Sequence, residues 1–291
     1  MQALTHLDTR QFNTLVFAGG GNRCWWQAGL VTQWLERGFK LPAQLVGTSA
    51  GAGVAAALLT PDGPRRALEA CVELYGRESS IFDWRGLARL RFRFGHEQIY
   101  PAWVAAFVNE HNFADVRASA SRLSVAVTHQ ARVLGLFGSV IAGTVAYLID
   151  KHVSHSIHPR LPRWLGLRQH FKTLQDCASV GDAQALLTAA AAAPPLMPAV
   201  QLDGRAAIDG GYTDNAPIPQ QTDAEKAATL VLLTRHYPGL PRMFRWRGRA
   251  YLQPSAPVPV STLDCTRRAT VREAFAFGAA DALALEAVIS H

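Results

Sequence analysis

Residues 14–18 read TLVFA, a β-branched and apolar run that Gly19, Gly20 and Gly21 stop before residues 25–37 take up a helical pattern. Residues 41–46 form a second apolar run. It leads into Gly47-Thr48-Ser49-Ala50-Gly51 and then into residues 52–59, an alanine-rich helix former. Two strand-turn-helix units in succession predict an α/β fold with a parallel sheet covered by helices, because a parallel connection needs a crossover. Prolines within 61–64 end the second unit, and helical periodicity returns over 67–75 and 99–108.

Residues 122–127 read as a strand, and residues 134–149 follow with no formal charge at all. As one helix this stretch would reach about 24 Å, short of the roughly 30 Å hydrocarbon core of a bilayer. A membrane span is therefore disfavoured. A buried helix or strand pair is the leading reading, with a lipid-facing cap over a substrate groove beside it. The cap gains weight from Lys151, His152, His155, His158 and Arg160 immediately beyond. Residues 174–193 look helical until Pro194 and Pro195 end them, and 197–202 form a short extended run. Residues 206–208 lead into Asp209-Gly210-Gly211, 228–233 make a buried-strand candidate, and 270–289 read as a helix with a stripe through Phe275, Ala279 and Leu283. With no internal repeat and no linker, residues 1–291 read as one unit, with a catalytic core over 10–225 and a completing strand and helices over 226–291.

The 291 residues carry 29 Lys plus Arg against 22 Asp plus Glu, a net charge of +7, and are 49% hydrophobic and 18% charged. That balance excludes global disorder. The basic excess argues for an anionic surface or partner. Arg65, Arg66, Arg85, Arg89, Arg91 and Arg93 form one diffuse group, and Arg160, Arg163 and Arg168 another. Each reads first as a solvated face and second as a contact for phospholipid headgroups; without aromatic interleaving or a recognised motif, no nucleic-acid partner is expected. Cys24, Cys71, Cys177 and Cys265 are widely separated and form no CxxC pair, which favours a reduced compartment. The first apolar strand runs straight into a glycine turn and does not resemble an export signal. The expectation is a cytoplasmic chain, with peripheral membrane association as its further option.

Gly47-x-Ser49-x-Gly51 sits between a strand and a helix, the setting in which small flanking residues permit a strained turn that projects a serine oxygen at a helix N-terminus. The plain alternative is a glycine turn with an N-capping serine. Gly19-Gly20-Gly21-Asn22-Arg23 also precedes a helix, where consecutive amides can form an anion-binding nest. It is not a dinucleotide fingerprint, since Cys24 stands where the last glycine of G-x-G-x-x-G belongs, and an oxyanion hole suits it better. Asp209-Gly210-Gly211, followed by Asp214, Asn215, Ala216 and Pro217, either holds an aspartate on a tight loop within reach of Ser49 or is an ordinary turn. Asn215 would orient that loop. His236 follows the next strand and is the candidate third member if the site is a serine-acid-histidine triad. His129, His152, His155 and His158 lack metal-ligand spacing with carboxylates, so neither a metal nor another cofactor is expected.

Taken in order, these segments resemble the patatin-like phospholipase family over approximately residues 12–220. The glycine-rich loop with its basic residue falls on Gly19, Gly20, Gly21, Asn22 and Arg23, and the nucleophile turn on Gly47 to Gly51. The D-G-G loop falls on Asp209, Gly210 and Gly211, with the asparagine-proline neighbourhood at Asn215 to Pro217. The small-residue and proline segment TAAAAAPPLMPAV at 188–200 matches the stretch that precedes that loop. The resemblance implies a three-layer α/β/α fold with a mainly parallel central sheet. It also implies a phospholipase A-type serine esterase acting on phospholipid or a related lipid ester through an acyl-enzyme. Ser49 would be the nucleophile, Asp209 the base, and the amides of Gly20, Gly21 and Asn22 the oxyanion hole. Gly19, Arg23, Gly47, Gly51, Gly210, Gly211 and Asn215 would support them. Cys24 departs from the glycine common at that position. Acyl transfer or small-ester hydrolysis, and a catalytically weak membrane-binding or interaction protein on the same fold, are the alternatives.

Overall fold

In the computed structural model, residues 1–84, 93–131, 134–149, 157–159, 161–285 and 287–288 are described. Two short strands, β1 (Gln2–Ala3) and β2 (Leu7–Asp8), precede β3 (Thr14–Phe17), every residue of which is buried. Helix α1 (Cys24–Glu36) crosses to β4 (Gln44–Thr48), and α2 (Ser49–Ala57) leaves the end of that strand. Helices α3 (Gly63–Gly76) and α4 (His96–Phe107) then lead to β5 (Arg122–His129). Next come α5 (Gly135–Ile149), β6 (Arg168–Thr173), α6 (Val180–Ala190), β7 (Val200–Leu202) and β8 (Arg205–Asp209). The chain finishes with β9 (Thr229–Leu232), β10 (Met243–Trp246), β11 (Arg249–Leu252), α7 (Val271–Leu283) and β12 (Ala287–Val288).

Ten of these strands form one mixed sheet in the order β1-β10-β11-β9-β3-β4-β5-β8-β7, with β6 also on β5. Its centre, β11-β9-β3-β4-β5, is parallel, as the strand-turn-helix pattern requires, and both flanks turn antiparallel. The fold class is therefore the expected one, an α/β sheet flanked by helices. Because strand side chains alternate, Leu15, Phe17, Leu45, Leu123 and Leu230 pack with α1, α2, α3 and α6 in the larger core cluster. Val16, Val46, Val231 and Tyr251 point the other way, onto Ile157 and Ala216.

Helices α1 and α7 approach closely through glycines. A Cβ on Gly29 would lie 1.9 Å from the Phe275 carbonyl oxygen, and one on Gly278 would lie 2.0 Å from that of Trp26. The indole of Trp26 donates to the buried Asp281 carboxylate at 2.7 Å, and Arg242 meets the same carboxylate at 2.9 Å.

The structure corrects three sequence expectations. Residues 134–149 are a helix, but Phe137, Ile141, Val145 and Ile149 are exposed, so the leading buried reading does not hold. Residues 174–193 divide into a 3-10 turn at Leu174–Asp176 and the separate helix α6, whose start is fixed by a Ser179–Asp182 capping box. The C-terminal helix stops at Leu283. Strand β6 and the β10–β11 hairpin were not expected because RQHFKT has one apolar residue in six and MFRWRGRAYL is interrupted by three arginines. The hairpin turn is supplied by Arg247 and Gly248, both at positive φ, 48° and 82°. Arg85, Arg89, Arg91, Lys151, His152, His155 and Arg160 lie outside the described residues. Among the described residues no helix is long and apolar enough to cross a membrane.

Candidate active site

Strand register explains how Ser49 and Asp209 meet. Along β5, residues Ser124 to His129 pair with β6 on one edge. The other edge is shared end to end: β4 occupies it as far as Thr48 opposite Ala126, and β8 takes over with Asp209 opposite Val127. Two strands far apart in sequence thus terminate against consecutive residues of a third. Ser49 is the residue after Thr48, so the Gly47–Gly51 turn and the Asp209 loop emerge at one point on the sheet. The junction is tight, and a Cβ on Gly210 would stand 2.2 Å from Thr48 Oγ1 and 2.6 Å from the Ala126 carbonyl oxygen. A glycine is the residue that fits there.

At the turn itself Ser49 has φ 53°, a left-handed backbone that costs a non-glycine residue about 1–2 kcal/mol. Strain of this kind persists where neighbours over-determine it. Here Thr48 Oγ1 bonds the Ala126 carbonyl at 3.2 Å, and the Tyr100 hydroxyl donates to the Ser49 carbonyl at 3.3 Å. Gly47 and Gly51 admit the turn because a Cβ would meet Ala52 Cα at 2.7 Å in one case and the Ala18 carbonyl at 2.6 Å in the other. Ser49 is also the first residue of α2, so the unsatisfied amides and positive end of that helix face the serine.

The Asp209 carboxyl accepts a hydrogen bond from the Gly211 amide at 2.7 Å, and the Ser49 hydroxyl is near enough to favour its ionised form. Its backbone amide is anchored to the Ala192 carbonyl at 2.8 Å, which ties the loop to the small-residue segment. Burial pushes the Asp209 pKa up from 3.8 to about 6, and the Ser49 hydroxyl and the Gly211 amide hold it from rising further. The residue keeps some accessible surface, but it opens onto a cavity of about 110 Å³. Trp25, Val54, Ile99, Trp103, Leu196 and Met197 give that cavity an apolar wall, with Ser49 and Asp209 as its polar spot.

The glycine loop lies against the same turn. A Cβ on Gly19 would come within 3.1 Å of Ser49 Cβ and 3.0 Å of Asn215 Oδ1. Asn215 accepts from the Gly19 amide through its own carbonyl at 2.7 Å, and its side chain leaves no room for a Cβ on Gly211, so it locks the two loops together. Thr234 Oγ1 donates to the Gly19 carbonyl at 2.6 Å, and Arg23 Nε to that of Gly20 at 3.4 Å. Among the described residues the amides of Gly20 and Gly21 have no acceptor. Asn22 differs: its amide donates to the Thr262 carbonyl at 3.0 Å, and its side chain bonds Ser261, Asp264 and Tyr75. That leaves two donors free of the three expected. Gly21, at φ 54° and with a Cβ that would sit 2.2 Å from the Thr262 carbonyl oxygen, admits only glycine.

Cys24 is accommodated because it already has right-handed helical φ and ψ of −65° and −16°. Its buried thiol lies 3.5 Å from the Ala18 carbonyl, and burial pushes its pKa far up, so it stays neutral. His236 bonds the Pro254 carbonyl through Nδ1 at 2.9 Å and does not line the cavity. The histidine that does is His96, whose pKa burial lowers. Tyr100, Trp103, His96 and Thr234 were not legible as site residues, although the aromatic segment FGHEQIYPAW that carries the first three was a visible signal. Among the described residues no group of three or more His, Cys, Asp and Glu side chains is placed to hold a metal ion.

A family model described as patatin-like phospholipase matches residues 15–220. No curated protein matches the chain. Among solved structures, the crystal structure of VipD from Legionella pneumophila is similar at 16% identity and a TM-score of 0.38, over 76% of this chain and 49% of that one. This chain spans about half the length of that relative.

Proposed function

The chain belongs to the patatin-like phospholipase family, and from that premise we propose that it hydrolyses acyl esters of lipids through a Ser49–Asp209 dyad. One observation carries the reading: the Ser49 hydroxyl and the buried Asp209 carboxyl line the same apolar cavity, where Ser49 favours the ionised form of Asp209.

In the first half-reaction the Ser49 hydroxyl oxygen attacks the ester carbonyl carbon while its proton passes to Asp209. A carboxylate with a pKa near 6 is a better base than an ordinary one yet remains ionised at neutral pH. The carbonyl oxygen becomes an oxyanion that receives the Gly20 and Gly21 amides, aided by the positive end of α2. Collapse breaks the ester bond, and the leaving alcohol takes the proton back from Asp209. Water then attacks the acyl-serine, giving its proton to Asp209, and the fatty acid leaves as Ser49 is reprotonated. Tyr100 and Asn215 are positioning residues, since they hold the backbone of Ser49 and of the glycine loop.

The test is a panel of phospholipids and short soluble esters with mass detection of products. The parent should release fatty acid, and Ser49→Ala and Asp209→Asn should not, with circular dichroism showing both variants folded. Turnover that survives in either variant refutes the dyad. Transfer of the acyl group to an added alcohol in preference to water would make the protein an acyltransferase on the same chemistry.

A further inference from the structure

We infer that α5, together with the basic cleft beside it, is a docking face for the surface of an anionic phospholipid bilayer. At 3.6 residues per turn Phe137, Ile141, Val145 and Ile149 fall within an arc of about 120°, and Leu134 stands in the turn just before the helix. All five are exposed, Phe137 at 80%. Single exposed apolar residues mean nothing, but a continuous stripe does. Part of the opposite side is small and engaged, with Ser139 and Ala146 buried and Gly143 so close to Tyr212 that a Cβ would be 2.4 Å from its ring, while Leu136 at the start of that side is exposed. Helix α5 is thus held by one face and presents the other to its surroundings.

The position of the helix suits a lipid surface. Tyr212 follows the Asp209 loop directly, touches α5 with its ring and donates from its hydroxyl to the Pro194 carbonyl at 3.0 Å. Ala193 and Leu196, on either side of that proline pair, line the cavity. The body of α5 and the Tyr212 side chain therefore stand between the exposed stripe and the wall of the cavity that holds Ser49.

Charge identifies the occupant. The short helix Leu161–Trp164 packs against α5 and ends in Trp164, 80% exposed, an aromatic suited to the headgroup level. Its Arg163 lines a cleft of about 690 Å³ with Lys226, Arg247 and Arg249. The acidic groups there are paired at the expense of two of those cations, since Arg163 holds Asp214 and Lys226 meets Asp223 at 2.6 Å, which leaves Arg247 and Arg249 with no carboxylate partner among the described residues. Buried Asp214 is held by His158 at 2.9 Å and Arg163 at 3.7 Å, and Glu225 caps Thr222 at 2.7 Å. An apolar stripe flanked by tryptophan and a positively lined cleft matches the acyl boundary and anionic headgroups of a bilayer, whereas a second copy of this chain, with a net charge of +7, would bring like charge to the same rim.

Docking rests on the lipid-hydrolase reading for its purpose, but it is tested without turnover. Ser49→Ala protein is floated with vesicles of phosphatidylcholine alone and with vesicles of phosphatidylcholine and phosphatidylglycerol in equal parts. Binding is expected to the mixed vesicles and to weaken with salt. Phe137→Ser combined with Ile141→Ser, both at exposed positions, should lower the partition roughly tenfold or more at an unchanged unfolding midpoint. Arg247→Gln should weaken binding to the anionic vesicles alone. Failure of the Ser49→Ala protein to float, or equal flotation of the double serine variant, overturns the inference. So does a concentration-dependent dimer that the double variant dissolves, since the stripe would then serve a second copy. Flotation by a parent that turns over no ester would keep the docking face and remove the dyad; hydrolysis of soluble esters without flotation would do the reverse.

Discussion

Asp209→Asn should abolish turnover and yet stabilise the protein at neutral pH. The Asp209 pKa rises from 3.8 to about 6 because folding buries the carboxyl, with the Ser49 hydroxyl and the Gly211 amide offsetting part of the effect. A rise of about two pH units corresponds to about 3 kcal/mol between the two protonation states. The folded protein holds this proton more tightly than the unfolded chain does. Its contribution to stability is therefore complete below about pH 4, falls between about pH 4 and pH 6, and is absent above. At pH 8 the wild type buries a charge, whereas the asparagine buries none and keeps an oxygen to accept from Gly211. The variant should be more stable at pH 8 by up to about 3 kcal/mol, or roughly 5 °C in Tm for a chain of this length. At pH 3.5 the two proteins should unfold together. Urea midpoints at both pH values, with equal m-values, measure the difference even where thermal unfolding is irreversible. A variant less stable than wild type at pH 8, or one with the same advantage at both pH values, would refute the account of Asp209 as a carboxylate held at a cost in stability for its basicity.

Further outcomes follow from the same geometry. The kcat/KM for a soluble ester should climb with pH and reach half its plateau near pH 6, since the base works only when ionised; a rate flat from pH 5 to pH 8 would exclude Asp209 as that base. Ser49→Ala should lose roughly a thousandfold or more in kcat with little change in fold. Ser49→Gly, equally inactive, should be more stable than Ser49→Ala by about 1 kcal/mol because only glycine sits at φ 53° without strain, which a pair of denaturation curves decides. Gly210→Ala must push against Thr48 and the Ala126 carbonyl and should cost at least about 2 kcal/mol; an unchanged urea midpoint would show that the junction of β4 and β8 can open.

The local elements around the site were legible in the chain because their determinants are local. A β-branched run ending in glycines can hardly be anything but a strand entering a turn, and β3, β4, α1 and α2 lie within a few residues of where the patterning put them. The G-x-S-x-G and D-G-G segments announced their close contacts through glycine, whose missing Cβ is a sequence-level mark of backbone approach. Polar and basic residues hid β6 and the β10–β11 hairpin, since a half-exposed strand is recognised by the partner it pairs with more than by its own composition.

What the sequence by itself determined, then, is which short segments turn sharply and which residues could react. Tertiary structure alone decided that Thr48 and Asp209 end against neighbouring residues of β5, because strand register is a relation among three distant segments. It decided too that the Asn22 amide goes to Thr262, that His96 and not His236 lines the cavity, and that α5 turns its small residues inward and its large apolar ones outward. An uncharged helix has no polar stripe to mark its outer face, so its orientation is set by what it packs against, here the ring of Tyr212.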